Sequence, residues 1–223
     1  MTVTYDYDRT ERLGMPEAVY CEGKDVASLN AILAELLGRP DHPVLFTRLS
    51  GERLVLLDPV LAGKLDHDAQ SATATLHGRL PNRSGRVAIV AAGTSDLKVA
   101  REAQRTLEFA GYKASLIVDV GVAGIHRLLD RIDEIRAHDV IIVVAGMDAA
   151  LASVMGGLTG KPLIAVPTSV GYGVAAGGGT ALNAMLASCG QGVLVTNIDN
   201  GFGGACGAIR ILNMLNKGEY DNG

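Results

Sequence analysis

Cys189, in the run Ser188-Cys189-Gly190-Gln191-Gly192, poses the sharpest chemical question in this chain. It follows a predicted helix and precedes a predicted strand. A thiolate there would be a nucleophile if a neighbouring cation or base lowered its pKa. As a small buried hydrophobe it would be inert. Cys21 and Cys206 read as the inert kind. Three thiols at unrelated spacings, without a CxxC pair, fit reduced cysteines rather than a disulfide framework or a zinc site.

The remaining chemistry-bearing residues fall where predicted strands end. Gly93, Thr94, Ser95 and Asp96 stand where a strand meets a helix N-terminus, which offers free amides and two hydroxyls to an anion. The plainer reading is that Ser95 or Asp96 caps the helix, and the two roles are compatible. No Gly-Lys-Ser/Thr follows, so this is not a P-loop. Asp119, His126 and Arg127 follow the next strand, where His126 is either a packed or solvated helical residue or a neighbour of the substrate. Gly146, Met147 and Asp148 follow the third strand, Thr168 and Ser169 the fourth, and Asn197 and Asp199 the fifth. The run GYGVAA, residues 171–176 with Tyr172 and Gly173, matches a G-x-G-x-x-A fingerprint. The ribose-binding acid expected downstream is missing, so a glycine-rich lid is the better reading. His42, His67, His77 and His138 lie in polar surroundings and read as surface residues.

Those strands must come from a wound α/β fold. A continuous apolar run at 87–91 and further strand-like segments at 114–118, 140–145, 163–166 and 193–196 alternate with helical periodicity, as buried parallel strands do. The expected class is α/β: a C-terminal flavodoxin-like, doubly wound parallel sheet over residues 83–217, preceded by a small N-terminal α/β unit at 1–82 and followed by a flexible tail at 218–223. In the N-terminal unit a strand at 17–20, a helix capped by Asp25, a strand at 44–47 and a second helical segment near 54–61 are predicted. About half of the 28 glycines crowd into residues 146–207, which reads as the floor of a nucleotide site with the thiol beside it.

Composition narrows the function. A net charge of −4 and 4% aromatics, with no Trp, argue against a nucleic-acid surface. No stretch is apolar and long enough to span a bilayer, so a cytoplasmic protein with no membrane partner is expected.

Several runs together resemble the LarB family, which is related to the phosphoribosylaminoimidazole carboxylases of purine synthesis. They are AGTSDL at 92–97, DVGVAGIHRLL at 119–129, VVAGMDAALASV at 143–154, VPTSVGYG at 166–173, SCGQG at 188–192 and NIDNGFG at 197–203. The start, DYDRTERLGMPEAVYCEGK at 6–24, is also similar to that family's N-terminal signature. The resemblance implies a carboxylase/hydrolase of nickel-pincer cofactor synthesis. It would act on nicotinic acid adenine dinucleotide with CO2 or bicarbonate as co-substrate and Mg2+ as a helper, assembled as a homo-octamer. Cys189 carries over as a transient nucleophile on the pyridinium ring. Ser95 and Asp96 would hold phosphate or ribose, while Asp119, His126 and Arg127 would border the pyridine or its phosphate. Asp148 stands where the family generally has glutamate, a carboxylate one methylene longer. Metal ligands are not assigned. The alternatives are an aminoimidazole ribonucleotide carboxylase, whose enamine-like substrate needs no thiol, and a nucleotide-binding module without catalysis.

Overall fold

The computed structural model describes residues 4–216. The tail expected at 218–223 lies outside them. Two compact units divide the chain: Met1–Asn82 with Phe109–Gly111, and Arg83–Glu108 with Tyr112–Gly223.

The N-terminal unit opens with α1 (Arg9–Leu13), then β1 (Ala18–Tyr20). Asp25 accepts from the Ser28 amide at 2.7 Å and caps α2 (Val26–Leu37), which buries Leu29, Ile32, Leu33 and Leu36. That amide bond holds the Asp25 carboxyl below the usual carboxylate range. β2 (Val44–Thr47) pairs parallel with β1, completing a βαβ unit. The second helical segment is two single turns, α3 (Gly51–Leu54) and α4 (Pro59–Ala62), capped by Ser50 and Asp58. Pro59 lacks an N–H and suits the first turn of a new helix, not the interior of a longer one. An antiparallel hairpin not foreseen from the sequence follows, β3 (Asp66–Asp68) and β4 (Thr73–Leu76), giving the order β1-β2-β4-β3. β3 is wholly polar, and β4 alternates Thr73, Ala74, Thr75 and Leu76 over only four residues, too few to mark a strand. Cys21 is fully buried, and burial pushes its thiol up to about 12.

The second unit is a five-stranded, all-parallel sheet of order β6-β5-β7-β8-β9. Its strands are β5 (Arg86–Ala91), β6 (Lys113–Ile117), β7 (Val140–Ala145), β8 (Leu163–Pro167) and β9 (Val193–Val195). Helices α5 (Leu97–Phe109), α6 (Ile125–Leu129), α7 (Ile132–Arg136), α8 (Ala150–Leu158), α9 (Gly179–Leu186) and α10 (Gly201–Leu215) connect or close them. In order of appearance the strands read 2-1-3-4-5, the flavodoxin-like winding, whose direction reverses between β5 and β7. β7 and β8 are buried throughout, as their unbroken apolar sequences require.

The glycine-rich stretch divides into two roles, which narrows the expected nucleotide floor. In α10 a Cβ on Gly204 would stand 2.7 Å from Val166 Cγ2, and one on Gly207 3.0 Å from Ile164 Cδ1. These glycines bring a helix close to the sheet; they cradle nothing. His138 also corrects the sequence reading. It is buried, with Nδ1 at 3.0 Å from the Glu134 carbonyl and Nε2 at 2.9 Å from Ser115 Oγ. Among the described residues no helix is long and apolar enough to cross a membrane.

Candidate active site

The carboxyl ends of β5 to β9 form one connected rim. Val120 donates to the Ala91 carbonyl, and a Cβ on Gly121 would stand 2.9 Å from the Ala92 oxygen, so only glycine lets these two turns meet. Met147 donates to the Val170 carbonyl at 2.7 Å, joining the β7 turn to the β8 loop. Ser169 N–H donates to Asp199 Oδ1 at 2.8 Å, and Asp199 N–H to the Pro167 carbonyl, joining the β8 and β9 loops. Asp119, Met147, Ala149 and Asp199 all have φ between 55° and 63°. Left-handed backbone at non-glycine residues is strained and collects at functional sites. Among the described residues of this unit, every such non-glycine falls on this rim.

Asp96 is the hub of the rim. It sits in a 3-10 turn (Thr94–Asp96) ahead of α5 and is only 3% exposed. Its Oδ2 accepts from the Gly93 amide at 2.9 Å and its Oδ1 from Thr168 Oγ1 at 2.6 Å. Asp96 thus caps this turn. Thr94 and Ser95 beside it are exposed and available. Burial is the main cause of the raised pKa of Asp96, against hydrogen bonds from Thr168, Gly93 and Gly146 that lower it. A carboxyl whose folded pKa lies above its unfolded value favours folding at acid pH, and that contribution is lost as pH rises through the folded value. Asp96→Asn is therefore expected to flatten the pH dependence of unfolding on the acid side, measured by denaturant titration across acid to neutral pH. An unchanged profile would show that Asp96 is not the buried acid described here.

Arg127 pairs with Asp119 at 2.6 Å, both side chains partly exposed. Such a pair adds little stability, so it orients the guanidinium. Gly124 makes room for it, since a Cβ there would lie 2.6 Å from Arg127 Nε. His126 is exposed on α6. Asp148 is exposed at the end of β7 and accepts weakly from the Ala150 amide at 3.2 Å. Asn197 accepts from the Ile198 amide and is exposed. Tyr172 and Gly173 lie on the outward loop before α9, where Val174 is 95% exposed. The G-x-G-x-x-A run thus leads into a broken 3-10 turn (Gly173–Gly178), not directly into a helix.

Cys189 is exposed. It lies between α9 and β9, on the amino side of a strand whose carboxyl side forms the rim. Ser188 Oγ is 2.7 Å from Ser153 Oγ of α8, and a Cβ on Gly156 would stand 3.2 Å from the Gly190 Cα. Among the described residues no hydrogen bond or ion pair joins Cys189 to the carboxyl-end residues.

One participant escaped the sequence reading. Glu102 of α5 is 3% exposed, and its Oε2 accepts from the Phe202 amide at 3.1 Å, holding the start of α10 behind the β9 loop. No local signal marked it, because α5 also carries Lys98, Arg101, Gln104, Arg105 and Glu108; Thr106, one turn on, is buried too.

A flavodoxin-like parallel sheet with strained loops gathered at its switch point defines an open α/β domain whose crevice lies at the carboxyl ends of the strands. Residues 86–220 match the family described as AIR carboxylase, and residues 1–78 match the LarB/PurE-like N-terminal domain. An uncharacterized protein of Methanocaldococcus jannaschii is 39% identical over 221 residues, covering 95% of this chain and 84% of its own length. The N5-carboxyaminoimidazole ribonucleotide mutase of the same organism is 34% identical over 138 residues, covering 59% of this chain and 81% of its own. The chain belongs to the LarB-like family related to the AIR carboxylases.

Proposed function

We propose that this carboxylase-family protein adds CO2 to carbon 5 of the pyridinium ring of nicotinic acid adenine dinucleotide and hydrolyses its phosphoanhydride, contributing to nickel-pincer cofactor synthesis. The observation that carries the reading is an exposed thiol, Cys189, in a domain otherwise built as an AIR carboxylase. An aminoimidazole is already enamine-like and attacks CO2 unaided. A pyridinium is electron-poor and needs prior addition of a nucleophile.

The Cys189 thiolate adds to a ring carbon and gives a neutral dihydropyridine. Carbon 5 then bonds to CO2, its proton passes to a base, and the thiolate leaves as aromaticity returns. The net change is replacement of the C5–H by a carboxylate with release of one proton. Asp148 and His126, both exposed near the rim, are the candidate bases. Water then splits the phosphoanhydride into AMP and pyridinium-3,5-biscarboxylic acid mononucleotide. Thr94, Ser95, Arg127 and Ser169 favour the phosphates, while Thr168, buried and bonded to Asp96, holds the loop in place.

Among the described residues no three His, Cys, Asp or Glu side chains gather to hold a metal ion. A Mg2+ ion would rest mainly on the substrate's phosphate oxygens, with Asp148 able to join, and would neutralise charge during hydrolysis. Because Cys189 stands on the amino side of β9 in its own chain, the reading has a second copy supply the thiol. A homo-octamer provides that copy.

The test is incubation with nicotinic acid adenine dinucleotide and bicarbonate, followed by mass spectrometry. The expected product is the dicarboxylated mononucleotide together with AMP. Mononucleotide without the added carboxylate would exclude the reaction.

A further inference from the structure

The N-terminal unit carries a cavity that the chemistry above does not use. It encloses about 250 Å³ and its walls include Tyr5, Tyr7, Thr10, Glu11, Asp41 and His42. Its rings form a tilted series. Tyr5 and Tyr7 centroids are 5.0 Å apart at 59°, and Tyr7 and His42 are 5.0 Å apart at 58°.

The rings are held in place. The Tyr5 hydroxyl donates to the Glu17 carbonyl at 2.5 Å, and the Tyr7 hydroxyl to Glu35 Oε1 at 3.4 Å. The Arg39 guanidinium lies 5.0 Å from the Tyr7 ring centroid. The segment bearing the tyrosines is tied down by a bidentate Arg12–Asp6 pair and by the Asp6 amide on Glu17 Oε2 at 2.8 Å.

The polar groups at the cavity are not so committed. The side chains of Glu11 and Asp41 and the ring nitrogens of His42 have no hydrogen-bond or ion-pair partner among the described residues. Preset rings beside unspent acceptors suit a flat ligand with N–H donors. Two carboxylates repel a phosphate. The volume is below the roughly 300–1,000 Å³ of sites for drug-sized ligands, so a single ring system fits and a whole dinucleotide does not.

We propose that this cavity binds a planar nitrogen heterocycle bearing an exocyclic amino group, of the adenine type, stacked beside Tyr7 and His42 with Glu11 or Asp41 accepting from the amine. That its biological ligand carries an adenine rests on the function proposed above. The binding itself does not.

The test uses the full chain and calorimetric titration with adenosine, AMP and nicotinic acid mononucleotide. The variants are His42→Ala and the double change Glu11→Gln with Asp41→Asn, each checked for native circular dichroism. Adenosine is expected to bind the unaltered chain at least as well as AMP does. Loss of one stacked ring or of the paired acceptors is expected to weaken adenosine by about tenfold, within the range of one base-stacking contact. Mononucleotide binding should stay the same in all three proteins. No adenosine binding, or equal affinity in all three, overturns the proposal. Adenosine binding that depends on His42 without any carboxylated product would sink the proposed reaction and leave this cavity's role standing. Normal product without adenosine binding would do the reverse.

Discussion

Replacing Cys189 by alanine is expected to lower formation of the dicarboxylated mononucleotide by at least about a thousandfold, because the pyridinium then has no way to become electron-rich. Serine should fare no better, since its hydroxyl is a far weaker nucleophile without a partnered base. The thiol is exposed, so either change should move stability by no more than about 0.5 kcal/mol. That separates loss of chemistry from loss of fold, and circular dichroism with denaturant titration checks it. The two half-reactions also separate. Phosphoanhydride cleavage breaks no ring bond, so AMP release from nicotinic acid adenine dinucleotide can persist in the alanine variant while carboxylation stops. Full carboxylation by Cys189→Ala would overturn the covalent mechanism. Undiminished carboxylation of an aminoimidazole ribonucleotide by that variant would favour the purine-type alternative.

Cys189 shows how a parallel sheet sorts residues that are neighbours in sequence. A residue just before a strand in a parallel sheet stands at the end opposite to the residue just after it. SCGQG and NIDNGFG flank the same short strand, β9, yet point to opposite ends of the sheet. The carboxyl-end residues were legible for the converse reason. A strand buried on both faces is an unbroken apolar run, so 140–145 announces its own end, and the loop after it must hold whatever chemistry that end carries.

Other features were hidden because they depend on partners far along the chain. Asp96 reads as a cap from its neighbours, but its second oxygen is taken by Thr168, and nothing local reveals that bond. Glu102 meets the Phe202 amide across a similar gap. His138 sits between charged residues in sequence yet is enclosed by Glu134 and Ser115. The hairpin of β3 and β4 escaped for a different reason. Asp66, His67 and Asp68 have almost no strand propensity, and their pairing with the buried β4 supplies what propensity does not.

The glycines allow the sharpest contrast between site and scaffold. Gly146→Ala places a Cβ 2.3 Å from the Val170 carbonyl oxygen and 2.6 Å from Thr168 Oγ1. The Val170 oxygen is backbone, already bonded to the Met147 amide, so it cannot swing aside as a flexible side chain would. Relief requires the β7 turn and the β8 loop to part, which also disturbs Thr168 and its bond to Asp96. Overpacking of this kind costs about 2–3 kcal/mol, equivalent to a fall in melting temperature of roughly 5–10 °C for a chain of this size. Activity is expected to fall further than stability, because the displaced loops carry Met147, Asp148, Thr168 and Ser169. Gly157 in α8 is the counterpart. It is exposed, and nothing lies within 4 Å of a Cβ built there. Alanine at that position removes backbone freedom from the unfolded chain and should stabilise the protein by about 0.5–1 kcal/mol. Denaturant titration of the two variants should therefore give shifts of opposite sign. If Gly146→Ala unfolds like the unaltered chain, the two turns have slack between them and the rim is not the rigid platform that carboxylation of a bound ring demands.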